Sequence, residues 1–122
     1  MTLTLTRSSN KLDQIGDTYV QDRLRERGVE TLALEDGDKL LAIATIYSDF
    51  TCDFILLEEL SNLGKLKFLR EIKKSLRGIQ ETLIAFCKKE GIKENRLLEW
   101  LGFNHAGEIH EYNGYICQHK QQ

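Results

Sequence analysis

The spacing of apolar positions changes repeatedly along the chain, and each change marks an element. Met1-Thr-Leu-Thr-Leu-Thr-Arg7 alternates apolar and polar, the pattern of a half-buried strand. From Asn10, an N-cap residue type, Leu12, Ile15, Tyr19 and Leu24 recur near helical spacing until Gly28, which predicts one amphipathic helix over residues 10–27. Residues 29–34 and 40–47 read as strands around an Asp36-Gly37 hairpin turn, and a second turn near Ser48-Asp49 leads to a strand over residues 51–57. Together these make an antiparallel meander. The period then switches: Leu66, Leu69, Ile72, Leu76 and Ile79 step by three or four, the core face of a helix that ends near Gly78. Residues 82–87 form an apolar run of strand length, and residues 95–101 a short amphipathic helix closed by Gly102. Tyr112-Asn113-Gly114-Tyr115 places a two-residue hairpin signal between aromatic positions.

At 122 residues the chain reads as one domain, long enough to bury about two-thirds of its unfolded surface without staples. No apolar run approaches the roughly 20 residues of a membrane span, and the first residues lack the apolar stretch of a leader. No membrane partner is expected. Cys52, Cys87 and Cys117 are far apart, each inside an apolar strand-like run, and none stands in a Cys-x-x-Cys pair. That predicts three reduced, buried thiols, with neither zinc nor disulfides. His105, His110 and His119 sit at uneven spacing with no orienting carboxylate pattern, and read as surface residues.

Charge is unevenly divided. Residues 1–62 carry 6 Lys and Arg against 12 Asp and Glu, and residues 63–122 carry 11 against 7. The basic excess concentrates in one helix, where Lys65, Lys67, Arg70, Lys73, Lys74 and Arg77 stand against Glu71 alone. That segment can face phosphate or simply water.

The order strand, helix, meander, helix, strand, helix, hairpin, with Arg96-Leu-Leu-Glu-Trp-Leu-Gly-Phe103 near its end, resembles the GCN5-related N-acetyltransferase (GNAT) family. Leu63-Gly-Lys-Leu-Lys-Phe68 and the basic helix after it are similar to small GNAT-like proteins of short-tailed bacteriophages, some of them internal virion proteins. The likeness covers residues 30–120. It implies an α+β fold: a central, mostly antiparallel twisted sheet with a splayed parallel strand pair, flanked by helices. Residues 51–57 and 82–87 would then line the wedge that takes the pantetheine arm of acetyl-CoA.

Acetyl transfer to an amine needs a phosphate cradle, a base and an acid. The family's cradle is a Gln/Arg-x-x-Gly-x-Gly/Ala run opening the long helix, because backbone N–H groups at a helix start bind phosphate. Matched to Glu59-Leu-Ser-Asn-Leu-Gly64, only the last glycine survives, and Glu59 puts negative charge where phosphate would come. The cofactor-binding candidates are therefore Asn62, Leu63, Gly64, Lys65 and Lys67, with Asn95 as a polar residue near the start of the helix that ends in Leu-Gly-Phe. The tyrosine that serves many members as acid falls on Leu98, and an asparagine common at the start of that helix falls on Gly91. For a base the candidates are Asp53 and Glu58. Trp100 and Phe103 read as core, and Tyr112 and Tyr115 as cross-strand packing.

Three readings follow. The first is a phage-encoded GNAT-fold protein with a degenerate acetyl-CoA site, an internal or accessory virion component that acts through contacts with phage structural proteins or a host protein. That reading places it in the host cytoplasm, or packaged in the virion. The second is an active acyl-CoA-dependent N-acetyltransferase with a divergent site. The third is a binding module that lays its basic helix on nucleic acid or an acidic host factor; nucleic acid is disfavoured because no aromatic residues interleave the lysines and arginines.

Overall fold

The computed structural model describes residues 3–118, and the backbone alone of residues 27–29; His119 lies outside the described residues. Seven strands form one sheet in the order β1-β2-β3-β4-β5-β7-β6. Leu3–Thr6 (β1), Gly28–Asp36 (β2), Lys39–Tyr47 (β3) and Thr51–Leu56 (β4) pair antiparallel in sequence. Gly37, at φ 57°, makes the turn between β2 and β3, a left-handed conformation that costs glycine little. The meander is as its alternation predicts.

The first helix differs from the expectation for residues 10–27. A short 3-10 turn at Leu12–Gln14 is followed by a break, and the helix proper, α1, spans Thr18–Arg27. Asp17 caps it instead of Asn10: its carboxylate accepts the backbone N–H of Tyr19 at 3.0 Å and of Val20 at 3.4 Å. The break lets Ile15 and Leu24 pack together against Ala33, Leu40 and Ile43, while Tyr19 is left exposed.

On the other face lie α2, Asn62–Arg77, and α3, Ile92–Trp100. Phe68, Ile72 and Leu76 of α2 bury against Leu32, Leu34, Ala42 and Ala44, whereas Leu66, expected on the core stripe, is exposed. The buried stripe is thus rotated toward Phe68, the larger side chain. Between these helices runs β5, Leu83–Lys88, parallel to β4, and the chain ends in β6, Asn104–Ile109, and β7, Tyr112–Cys117. The tight turn falls at His110-Glu111, with His110 at φ 53°, and not at Asn113-Gly114. Asn113 is used inside β7 as a hydrogen-bond donor to Asn95, and a Cβ at Gly114 would stand 3.6 Å from the Phe86 ring.

The α+β class implied by the resemblance is present: a mostly antiparallel sheet with one parallel pair, and helices on both faces. That pair is short. β4 and β5 register only at Thr51↔Ile84 and Cys52↔Ala85, after which the strands part. Cys52, Cys87 and Cys117 are buried, as expected. No helix among the described residues is long and apolar enough to cross a membrane.

Candidate functional site

The fork in the sheet organises the site. Up to Cys52, β4 is bonded on both sides; from Asp53 to Leu56 it is paired to β3 alone. Its opposite edge therefore offers backbone N–H and C=O groups that demand partners. Alternation then assigns the faces. Cys52 is buried with α2 and α3, Phe54 and Leu56 pack against the same cluster, and Asp53 points to the α1 side.

On the helix side a cleft of about 590 Å³ opens between the end of β4, the start of α2 and the length of α3. Leu56, Leu57, Leu69 and Leu97 give it an apolar wall, and Glu58, Lys65, Lys93 and Arg96 a charged mouth. Lys93 meets Glu59 at 3.5 Å, so the acid that stands against a phosphate is partly neutralised by α3. At the start of α2, Ser61 caps the helix: its hydroxyl accepts from Gly64 N–H at 3.1 Å and its carbonyl from Lys65 N–H at 2.9 Å. Of the N–H groups that the helix start leaves unbonded, Ser61 thereby occupies that of Gly64, while the Lys65 bond is the first of the helix's own ladder. Gly64 is buried, and a Cβ there would stand 3.6 Å from Leu34, an ordinary contact, but 3.2 Å from the Ser61 hydroxyl, so the tight neighbour is the capping side chain.

The sequence candidates separate accordingly. Glu58 and Lys65 line the cleft; Asn62 and Leu63 are exposed on the first turn of α2; Lys67 is exposed on the same helix. Glu58 lies 3.8 Å from Lys39, on the opposite side of β4's end from Asp53, so the structure does not bring the two base candidates together. Asn95 is a hub inside the protein. Its amide donates to the carbonyls of Lys88 (2.9 Å) and Gly91 (2.7 Å), and its oxygen accepts from Asn113 (3.0 Å) and the Tyr115 hydroxyl (2.7 Å). It ties the start of α3 to β5 and β7. Leu98, at the position of the family's tyrosine, is buried, whereas Trp100, expected in the core, is 51% exposed.

Asp53 has partners that the sequence reading missed. The Tyr47 hydroxyl donates to its carboxylate at 2.5 Å, the Arg23 guanidinium lies 3.9 Å from the same oxygen, and that guanidinium stacks 4.1 Å above the Tyr47 ring. Arg23 also donates to the Thr51 hydroxyl at 2.9 Å. Burial first, then the hydrogen bond and charge of Asp53, push the Tyr47 phenol far up, so it stays a neutral donor throughout the accessible pH range. The signal was available in part: Tyr47 and Asp53 share a face because Thr45 pairs with Asp53 across the hairpin. Arg23 could not be found that way, since it comes from a helix.

Burial raises the Cys52 thiol to about 12 and the Cys87 thiol to about 11, which leaves neither as a nucleophile near neutrality. Among the described residues no group of His, Cys, Asp and Glu is arranged to hold a metal ion.

No protein-family model matches the chain, and no curated protein matches it in sequence. Solved structures do. The chain is similar to PH1933 from Pyrococcus horikoshii OT3 with a TM-score of 0.73 at 12% identity, covering 98% of this chain and 100% of that one. It is similar to a GNAT-family acetyltransferase from Bacillus cereus with a TM-score of 0.65 at 11% identity, over 99% and 100% of the two chains. An acetyltransferase from Bacillus subtilis in complex with CoA matches with a TM-score of 0.63 at 16% identity, over 97% and 98%. At such identities the likeness shows the fold: this is a GNAT fold.

Proposed function

We propose that the protein is an acyl-CoA-dependent N-acyltransferase whose cofactor lies in the cleft between β4 and α3 and whose amine acceptor reaches the fork from the α1 side. The observation that carries this is the parting of β4 from β5 after Cys52, with the cleft on one face and Asp53 on the other. A neighbour of the same fold holds CoA. The virion role expected from the sequence draws no support from the structures matched here.

The fit to an acyl-CoA is good at the pantetheine arm and reduced at the pyrophosphate. The unpaired edge from Asp53 to Leu56 complements the arm's amides, and the leucine wall its methylenes. At the start of α2, Ser61 occupies the Gly64 N–H that a phosphate would use, and Lys65 faces the cleft beside it. When bound, the cofactor supplies an acyl thioester. Asp53 takes a proton from the incoming ammonium, which frees the nitrogen lone pair for the new amide bond. Tyr47 and Arg23 are positioning residues, fixing the carboxylate with one hydrogen bond and one ion pair. With leucine at the family's tyrosine position, the proton that returns to the departing sulfur must come from water.

The test is thiol release from acetyl-CoA in the presence of a panel of primary amines. Amine-dependent release that is lost in Asp53→Asn, with the variant's circular dichroism unchanged, is the expected result. No release above the uncatalysed rate with any amine would count against the reading.

A further inference from the structure

The cleft does not end at its leucine wall. Trp100 borders it and also borders a second groove, of about 260 Å³, lined by Leu66, Arg70, Lys73, Lys74 and Arg77. We propose that this second groove binds the 3′-phosphoadenosine end of coenzyme A, with adenine stacked on Trp100 and the 3′-phosphate taken by Arg70, Lys74 and Arg77. The inference rests on the acyl-CoA reading and adds residues to it that neither the sequence nor the comparisons assign.

Several independent features point there. Trp100 is the single tryptophan of the chain and is half exposed, which is a poor use of an indole in a core and a good use of one as a platform. The Lys73 ammonium lies 3.8 Å from its ring centroid, so the ring already serves as a surface for a stacked group. All four charged residues lining the groove are cations. Glu71, on the same helix, reaches Lys74 at 3.8 Å, but among the described residues Arg70 and Arg77 have no acidic partner. A dianionic phosphate on a ligand satisfies them in a way that no described side chain does.

Continuity selects the occupant. A ligand that fills the cleft and carries on past α3 meets Trp100 next, and coenzyme A carries a purine and a phosphomonoester at that end. The restricted helix start gives the same answer from a different direction. With Ser61 holding Gly64 N–H, anion binding at the pyrophosphate is weakened, and side chains further along α2 supply the missing charge. A purely side-chain site of this kind is salt-sensitive, because the cations are exposed.

Trp100 makes the test direct, since all tryptophan emission comes from this one residue. Titrating the full-length protein with adenosine 3′,5′-bisphosphate is expected to quench that emission saturably, and adenosine to leave it unchanged at the same concentrations. By calorimetry, Trp100→Leu and the double variant Arg70→Gln/Arg77→Gln are expected to weaken acetyl-CoA by about tenfold or more, with Trp100→Phe restoring most of the loss. Dephospho-CoA should bind wild type and the double variant alike. If acetyl-CoA binds wild type tightly but the bisphosphate does not quench and Trp100→Leu binds as well as wild type, the groove is not the adenosine site and the acyl-CoA reading stands without it. If a short single-stranded oligodeoxythymidine quenches while acetyl-CoA shows no binding heat, the groove serves nucleic acid, and both readings fall.

Discussion

The two ends of the sheet are built to different standards. In the meander, β3 is paired along its length to β2 and along most of it to β4, and both its faces are covered: Ala42 and Ala44 lie under α2, and Leu40 and Ile43 under Ile15 and Leu24. At the other end, β5 alternates strictly, with Leu83, Ala85 and Cys87 buried under the helices and Ile84 and Phe86 exposed on a face that α1 does not reach. Between them, β4 is finished on one edge and half finished on the other. The lesson is that the chain places its packing where no ligand is needed and leaves both the ladder and one sheet face incomplete where a ligand can enter. Water bonds to that open edge until an extended ligand with amides of its own replaces it, which makes the fork a ready strand-like site.

Substitutions can break or sharpen that contrast. The largest effect is expected at the fork: Asp53→Asn should lower amine-dependent turnover by about 10²–10⁴-fold, the range for a general base, with the circular dichroism spectrum unchanged. Equal turnover in the variant would remove Asp53 from the chemistry. Next comes the contrast in packing. Ile43→Ala in the covered strand should cost about 2–5 kcal/mol in denaturant unfolding, and Ile84→Ala on the open face within about 0.5 kcal/mol. Comparable losses at the two sites would mean that the open face is not open.

Tyr47→Phe deletes the hydroxyl that holds Asp53 and should cost about 1.5–3 kcal/mol, as expected for a hydrogen bond to a charged group. It should also lower turnover less than Asp53→Asn does. A variant as stable as wild type would show that Asp53 does not depend on this contact. The smallest expected effect lies in the meander and is seen only in acid. Burial pushes Glu35 up, but the Ser9 hydroxyl at 2.6 Å and the Lys11 ammonium at 2.9 Å outweigh it, so its carboxyl titrates below the ordinary 4.5. A lowered folded-state value contributes stability above the unfolded value, and that contribution is lost as pH falls through the folded one. Wild type should therefore lose stability below about pH 4.5 by more than Glu35→Gln does; parallel acid titrations of the two would contradict this.

Local periodicity made the element order legible, and with it the fold. What it misplaced turned on contacts between distant residues. Residues 10–27 carry a helical pattern, but Ile15 and Leu24 can both reach the sheet only if the chain breaks and restarts at Asp17. Asn113-Gly114 is a strong hairpin dipeptide, yet Asn113 is drawn into β7 by Asn95, and the turn moves to His110-Glu111. Trp100 looked like core because an indole in an amphipathic helix usually is; whether α2 offers it cations or leucines depends on the packing of two helices. The site divides the same way. Asp53 could be picked from strand position and resemblance, whereas Tyr47 needed the hairpin register and Arg23 the docking of α1.

The central claim is that the unfinished edge of β4 and the cleft beside it hold an acyl-CoA. Isothermal titration of the full-length protein with acetyl-CoA, with desulfo-CoA as a thiol-free control, measures this most directly. The account predicts a single site of micromolar affinity for both ligands. No binding heat at millimolar acetyl-CoA would contradict it.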